Sequence, residues 1–196
     1  FVVIDSFFGS ICLCLALLSW SIGAYAVWYS KKPMQKKIIF ILFTLSFLAV
    51  PFNAHDMSYY IGLGRGVAHG VNVYDSDWVF QNTLSCGGET QIMRGAMYGP
   101  IALYAFGVVA SFSSSPLIFI LVWKALMLFG LFVCVRGISR ILPSLPSFNV
   151  WTFFALQPLV VWETLCSGHF DIWWVATVLW AVVYAKEGRW IFVAPL

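Results

Sequence analysis

Charge is scarce in this chain. Eight acidic and eleven basic residues are all that 196 positions carry, a charged fraction of 10%. A soluble domain carries about 25%. So few charges cannot cover a water-facing surface, and lipid must cover it instead. Cysteine is scarce as well. The five present (Cys12, Cys14, Cys86, Cys134 and Cys166) show no metal-ligand spacing. Cys12 and Cys14 stand two apart in an apolar run, point to different faces of a helix and read as packing residues. No basic stretch precedes the first apolar segment, so a secretory signal of the usual form is not expected in it. No internal repeat is visible, which argues against a transporter built from paired halves.

What is present is apolar. Hydrophobic residues make up 61% of the chain, the mean hydropathy is +0.88, and ten Trp and eight Tyr supply interfacial anchors. About 20 apolar residues cross a bilayer core. Residues 7–29 satisfy that length, and Ile38 to Phe52 returns. Between them lies Lys31-Lys32-Pro33-Met34-Gln35-Lys36-Lys37, four of the eleven basic residues. That cluster is a cytoplasmic topology signal rather than a nucleic-acid patch. Further apolar segments cover 101–113, 117–135, 148–162 and 171–185. The expected fold is therefore all-α and polytopic, one membrane domain over residues 1–196. Because the chain opens on Phe1 and stops at Pro195-Leu196, it reads as a piece of something longer.

Residues 53–99 form one long polar segment holding Asp56, Asp75, Asp77 and Glu89, half of all the acids, against Arg65 and Arg94 alone. The bias fits an exoplasmic loop. Within it Met57, Tyr60, Ile61, Gly64, Val67 and Ala68 recur at helical spacing, which predicts a short helix along the membrane surface. Gly62, Gly64 and Gly66 weaken such a helix but let another backbone or a ligand approach. Gly70-Val71-Asn72 should end it. An Asp placed where a helix leaves the bilayer is costly and usually functional. Asp56, beside His55 and Tyr59-Tyr60, is thus the leading candidate residue.

Counting crossings raises a conflict. If every apolar stretch spans, Arg136, Arg140, Lys186 and Arg189 land outside, and Glu163, His169 and Asp171 fall on the side opposite Asp56. As a helix 101–113 rises only about 20 Å, short of the roughly 30 Å core. If it does not cross, parity flips: the four cations fall inside and both acidic clusters share the outside. A dip and return of 148–185 as a short hairpin gives the same shared site, since irregular backbone is tolerated where it lines a watery cavity.

The order of motifs resembles the GT-C superfamily of membrane glycosyltransferases. The nearest likeness is to polyprenyl-phosphate-mannose-dependent mannosyltransferases. The residues that carry it run from His55-Asp56 and Tyr59-Tyr60 through Gly70 to Tyr74 and Tyr98-Gly99-Pro100. Gln157-Pro158, Glu163 and Ser167-Gly168-His169-Phe170-Asp171 complete it. Gln157-Pro158 stands where Asn-Pro is usual, and Tyr98-Gly99-Pro100 where Tyr-Pro-Pro is usual. The resemblance covers about 38 to 185 and implies the N-terminal part of a GT-C-type module. It implies inverting transfer of a hexose, mannose by that likeness, from a polyprenyl-phosphate sugar to a glycan or glycolipid acceptor on the exoplasmic face. No nucleotide donor or nucleic acid takes part. The site would lie in the plasma membrane, or the ER membrane of a eukaryote. Asp56 would be the general base, taking the proton from the acceptor hydroxyl. Arg65, Arg94 and Lys124 would meet the phosphate charge. Tyr60 and Glu163 would join the substrate-binding set. His169 and Asp171 would orient acceptor or phosphate, or hold a divalent metal ion.

Plainer roles compete at each position. Asp56 is a good helix N-cap, as is Asn53. Arg65 could bind lipid head groups. Lys124 could snorkel or pair with Glu163. Asp171 could cap the helix it opens, and two ligands such as His169 and Asp171 do not make a metal site. Asp75 and Asp77 fit solvated turns. A non-enzymatic lipid-binding or transport subunit is the alternative to the enzyme.

Overall fold

The computed structural model describes residues 41, 44–45, 48, 54–74, 78–81, 90–93, 95–112, 114–145, 150–151, 154 and 157–190. The segment 7–29, the lysine cluster, Cys12, Cys14, Asp75, Asp77, Cys86, Glu89 and Arg94 lie outside them. Four helices dominate: α1 (Ala54–Ala68), α2 (Pro100–Phe112), α3 (Pro116–Ile141) and α4 (Asp171–Lys186). Between α3 and α4 the chain makes a helical turn at Pro158–Val160 that widens into a π-helical turn at Val161–Cys166.

The expectation of an all-α chain needs one addition. Strands β1 (Trp78–Gln81) and β2 (Thr90–Met93) pair antiparallel, with Trp78 opposite Met93 and Gln81 opposite Thr90. Trp, Val, Phe, Thr and Ile favour a pleated surface, and no helical periodicity opposes them there.

α3 is the one described helix long and apolar enough to cross a membrane. Its 26 residues rise about 39 Å, more than the roughly 30 Å core. α2, with 13 residues, rises only about 20 Å. Pro100 and Pro116 open α2 and α3, where a missing N–H is harmless.

The chain forms two compact units. One comprises Val50–Met127 with Ser167–His169. In it α1 packs on α2. Gly64 lies so close to α2 that a Cβ there would stand 2.5 Å from the Phe106 carbonyl oxygen. Met57, Ile61, Leu63, Leu103, Phe106, Phe119, Trp123 and Met127 form its core. From Met57 to Gly66, α1 is buried or half-buried at every position. The expected short helix is thus largely covered by protein, as its near-continuous apolar and small residues require. It stops as the sequence suggests. Gly70, at φ 73°, takes a left-handed turn, and the Gly70 and Val71 amides donate to the Val67 and Gly66 carbonyls.

The other unit comprises Phe1–Ala49, Leu128–Cys166 and Phe170–Leu196. There the C-terminal half of α3 lies parallel to α4. Ile172 and Trp173 meet Gly130, and Leu179 and Trp180 meet Gly137. The Trp180 indole N–H donates to the Val133 carbonyl at 3.1 Å. The Lys186 ammonium donates to the Ile141 carbonyl at 2.9 Å.

Candidate functional site

α1 carries Asp56 inside its first turn rather than at the capping position before it. Facing it is His169. The two are far apart in sequence, yet His169 Nε2 lies 3.2 Å from Asp56 Oδ2, with 22% and 32% of the respective side chains exposed. A ring N–H on Nε2 donates to the carboxylate. The pair is accessible but partly walled, the setting a proton-transferring group needs.

Ser167-Gly168 makes this meeting possible. Gly168 has φ 76°, a conformation L side chains avoid. A Cβ at that position would stand 2.6 Å from Met57 Cε. Its carbonyl accepts a buried hydrogen bond from the Trp123 indole N–H at 2.7 Å. Trp123, on α3, therefore anchors the turn that presents His169. The sequence reading missed this residue. A Trp in mid-span, away from the interfaces where Trp gathers, with an N–H that needs a partner when buried, was the available signal.

An aromatic cluster backs the pair. The Tyr60 ring stacks on Phe106 at 4.8 Å and 14°, meets Tyr98 edge-on at 5.7 Å and tilts on Trp123 at 5.7 Å. Tyr60 is only 2% exposed, so it shapes the wall. Tyr59 is the more open ring, 5.9 Å from Tyr98. Burial pushes its hydroxyl pKa upward, against a weaker opposite pull from a hydrogen bond with the Met97 backbone. It remains a neutral phenol at working pH.

Two further motifs of the loop come together. The Tyr74 hydroxyl donates to the Tyr98 carbonyl at 3.0 Å, and the Ala96 amide donates to the Val73 carbonyl at 2.8 Å. The Gly70–Tyr74 turn is thereby tied to the Tyr98-Gly99-Pro100 entry into α2.

Arg65 sits about two and a half turns, or ~13 Å, along α1 from Asp56 and on its far side. Its guanidinium donates to the Ser114 carbonyl at 2.6 Å. Lys124 follows Trp123 on α3 and has no exposed surface. Glu163 stands half-exposed in the π-helical turn, a rare geometry often found at functional sites. Asp171 is exposed and opens α4, but the capping position belongs to Phe170, which makes no side-chain cap. The acid instead lies in the first turn, where the helix dipole favours it. Among the described residues, no group of three His, Cys, Asp or Glu side chains could hold a metal ion.

A carboxylate steered by a histidine, on a helical body with a membrane-length helix, suits an enzyme that moves groups at a lipid surface. Over residues 2–196 the chain matches the family described as alpha-(1->6)-mannopyranosyltransferase, N-terminal domain, and it belongs to that family. It is accordingly part of a mannosyltransferase, a glycosyltransferase, as the GT-C-like order of its motifs implied. No curated protein and no solved structure matches it.

Proposed function

We propose that the domain transfers mannose, with inversion, from a polyprenyl-phosphate sugar to a glycan or glycolipid acceptor on the exoplasmic face of the plasma membrane, or of the ER membrane in a eukaryote. The observation that carries this reading is the contact between Asp56 and His169 at 3.2 Å. It joins the two motif segments through which the chain resembles lipid-phosphate-dependent enzymes.

In the proposed reaction Asp56 is the base. It takes the proton of an acceptor hydroxyl as that oxygen forms a bond to the anomeric carbon. The bond from that carbon to the phosphate oxygen breaks, and polyprenyl phosphate leaves with the electron pair. His169 fixes the orientation of the carboxylate through its N–H. Tyr59 offers a neutral hydroxyl and a ring edge at the same wall. Tyr60 holds the wall by packing. Arg94 is the proposed source of positive charge for the leaving phosphate; Lys124 is fully buried, and Arg65 is drawn away by its bond to Ser114. For Glu163 and Asp171 the motif resemblance alone supports a substrate-contacting role. Among the described residues the donor set at Asp56 and His169 is a pair.

A shared side for Asp56 and His169 favours a multi-pass chain in which 101–113 does not cross. The helix Pro100–Phe112 is too short to do so. That path also puts Arg136, Arg140, Lys186 and Arg189 inside.

The test is mannose transfer from polyprenyl-phosphate-mannose in membranes carrying the full-length protein. Asp56→Asn should reduce turnover about a hundredfold or more with protein levels unchanged. His169→Gln should reduce it less. Undiminished transfer by Asp56→Asn would place the base elsewhere. Absence of any consumption of the lipid-linked sugar by wild type would remove the donor assignment.

A further inference from the structure

The C-terminal ends of α3 and α4 carry a cluster of cations that catalysis at Asp56 does not use. The helices run parallel and finish at one level, because the Lys186 ammonium donates to the last carbonyl of α3, that of Ile141, at 2.9 Å. Glu187 sits between two arginines. Its Oε1 lies 3.4 Å from Arg140 Nη1 and its Oε2 3.8 Å from Arg189 Nη1. A tight turn at Gly188 folds the chain back, and the Arg189 guanidinium lies 5.2 Å above the Tyr184 ring. Arg136 is exposed one turn earlier on α3, on the same side as Arg140.

The plain role of such cations is to neutralise helix C-termini, each worth about half a negative charge. Here there are too many for that. Among the described residues Arg136, Arg140, Lys186 and Arg189 face one acid, Glu187, and two helix ends, which leaves about two positive charges. The arginine side chains stay open, at 61% for Arg140 and 51% for Arg189. Beside them Leu142, Leu145 and Trp190 are exposed at 44%, 44% and 66%. Arginine forks with an adjoining Trp and leucines match a phosphate head group joined to acyl chains. A soluble phosphate compound would leave the apolar part uncovered.

We infer that these helix ends form a binding site for anionic phospholipid head groups. Glu187 pre-orients Arg140 and Arg189 so that their outer N–H groups face the lipid phosphate. Lys186 joins the two helix ends, and Arg136 adds charge at the rim. The site is independent of the proposed chemistry at Asp56.

The experiment uses full-length protein in neutral detergent, titrated with fluorescent phosphatidylglycerol and, separately, phosphatidylcholine. Wild type should bind the anionic lipid more tightly, with the difference shrinking as salt rises. At about fivefold per basic residue, the double variant Arg140→Gln with Arg189→Gln should lose roughly 25-fold in affinity for phosphatidylglycerol and keep its weak binding of phosphatidylcholine. Equal binding of the two lipids by wild type, or an intact preference in the double variant, overturns the assignment. If that variant does not purify folded, Arg136→Gln alone decides the matter: about a fivefold loss supports the site, and no loss overturns it.

Discussion

Adding one methyl group at Gly168 tests the link between the turn and the acid–histidine pair. In Gly168→Ala the new Cβ would stand 2.6 Å from Met57 Cε and 3.4 Å from Trp123 Cδ1. Met57 is fully buried, so its flexible end has little room to withdraw. Such overpacking costs about 1–3 kcal/mol. The backbone adds a separate cost, because φ is 76° and an L residue held there loses about 1–2 kcal/mol. Together the substitution should destabilise by roughly 2–5 kcal/mol and lower mannose transfer by moving His169 from Asp56. Chemical unfolding of the detergent-solubilised protein, read with transfer activity, measures both. Met57→Ala divides the cost. The double variant should be less destabilised than the sum of the single ones by about the overpacking part. A strictly additive result would locate the whole cost in the backbone. A Gly168→Ala protein with wild-type stability and turnover would refute the account of how His169 is positioned.

Four other outcomes follow from the geometry. Trp123→Phe removes the buried indole donor to the Gly168 carbonyl; it should cost about 1–3 kcal/mol in unfolding experiments and reduce turnover in parallel. Gly64→Ala sets a Cβ against the Phe106 backbone, which yields less easily than a side chain; a loss of about 1–3 kcal/mol is expected, and a neutral result would mean that α1 and α2 are less closely packed. Arg65→Ala removes the bond to the Ser114 carbonyl, and should cost about 0.5–1.5 kcal/mol while leaving the Michaelis constant for the proposed lipid-linked donor unchanged; a large rise in that constant would return Arg65 to the proposed phosphate site. The raised pKa of Tyr59 means that the unfolded chain loses this proton first. Its stabilising contribution is therefore complete below about pH 10 and fades as pH climbs from there through the folded value. The difference in stability between wild type and Tyr59→Phe should be flat below that pH and shrink above it.

The sequence makes legible what repeats or what breaks a repeat. Periodic apolar residues and Gly70 define α1, and Pro100 and Pro116 mark the starts of α2 and α3. Asp56 and His169 stand out as ionisable groups at the ends of apolar stretches. Tertiary contacts that leave no local trace were not legible. Nothing near Arg65 announces its bond to Ser114, and nothing near Lys124 announces complete burial. The π-helical turn at Val161–Cys166 adds a residue per turn without any distinct composition. The hairpin was hidden because four-residue strands are too short for alternation to be distinguished from chance. How far α2 covers α1 was not legible, because small residues such as Gly64 let a neighbouring helix approach without marking it in the sequence.

The tie between Tyr74 and Tyr98, with that between Val73 and Ala96, has a consequence for how this enzyme class can vary. The polar excursion between these residues is closed at its base, so its length is uncoupled from the placement of α1 and α2. Doubling such a loop adds only about 0.6 kcal/mol of closure entropy. Length changes within 75–93 should therefore cost little in closure entropy, and the Asp56 carboxylate and His169 should keep their geometry.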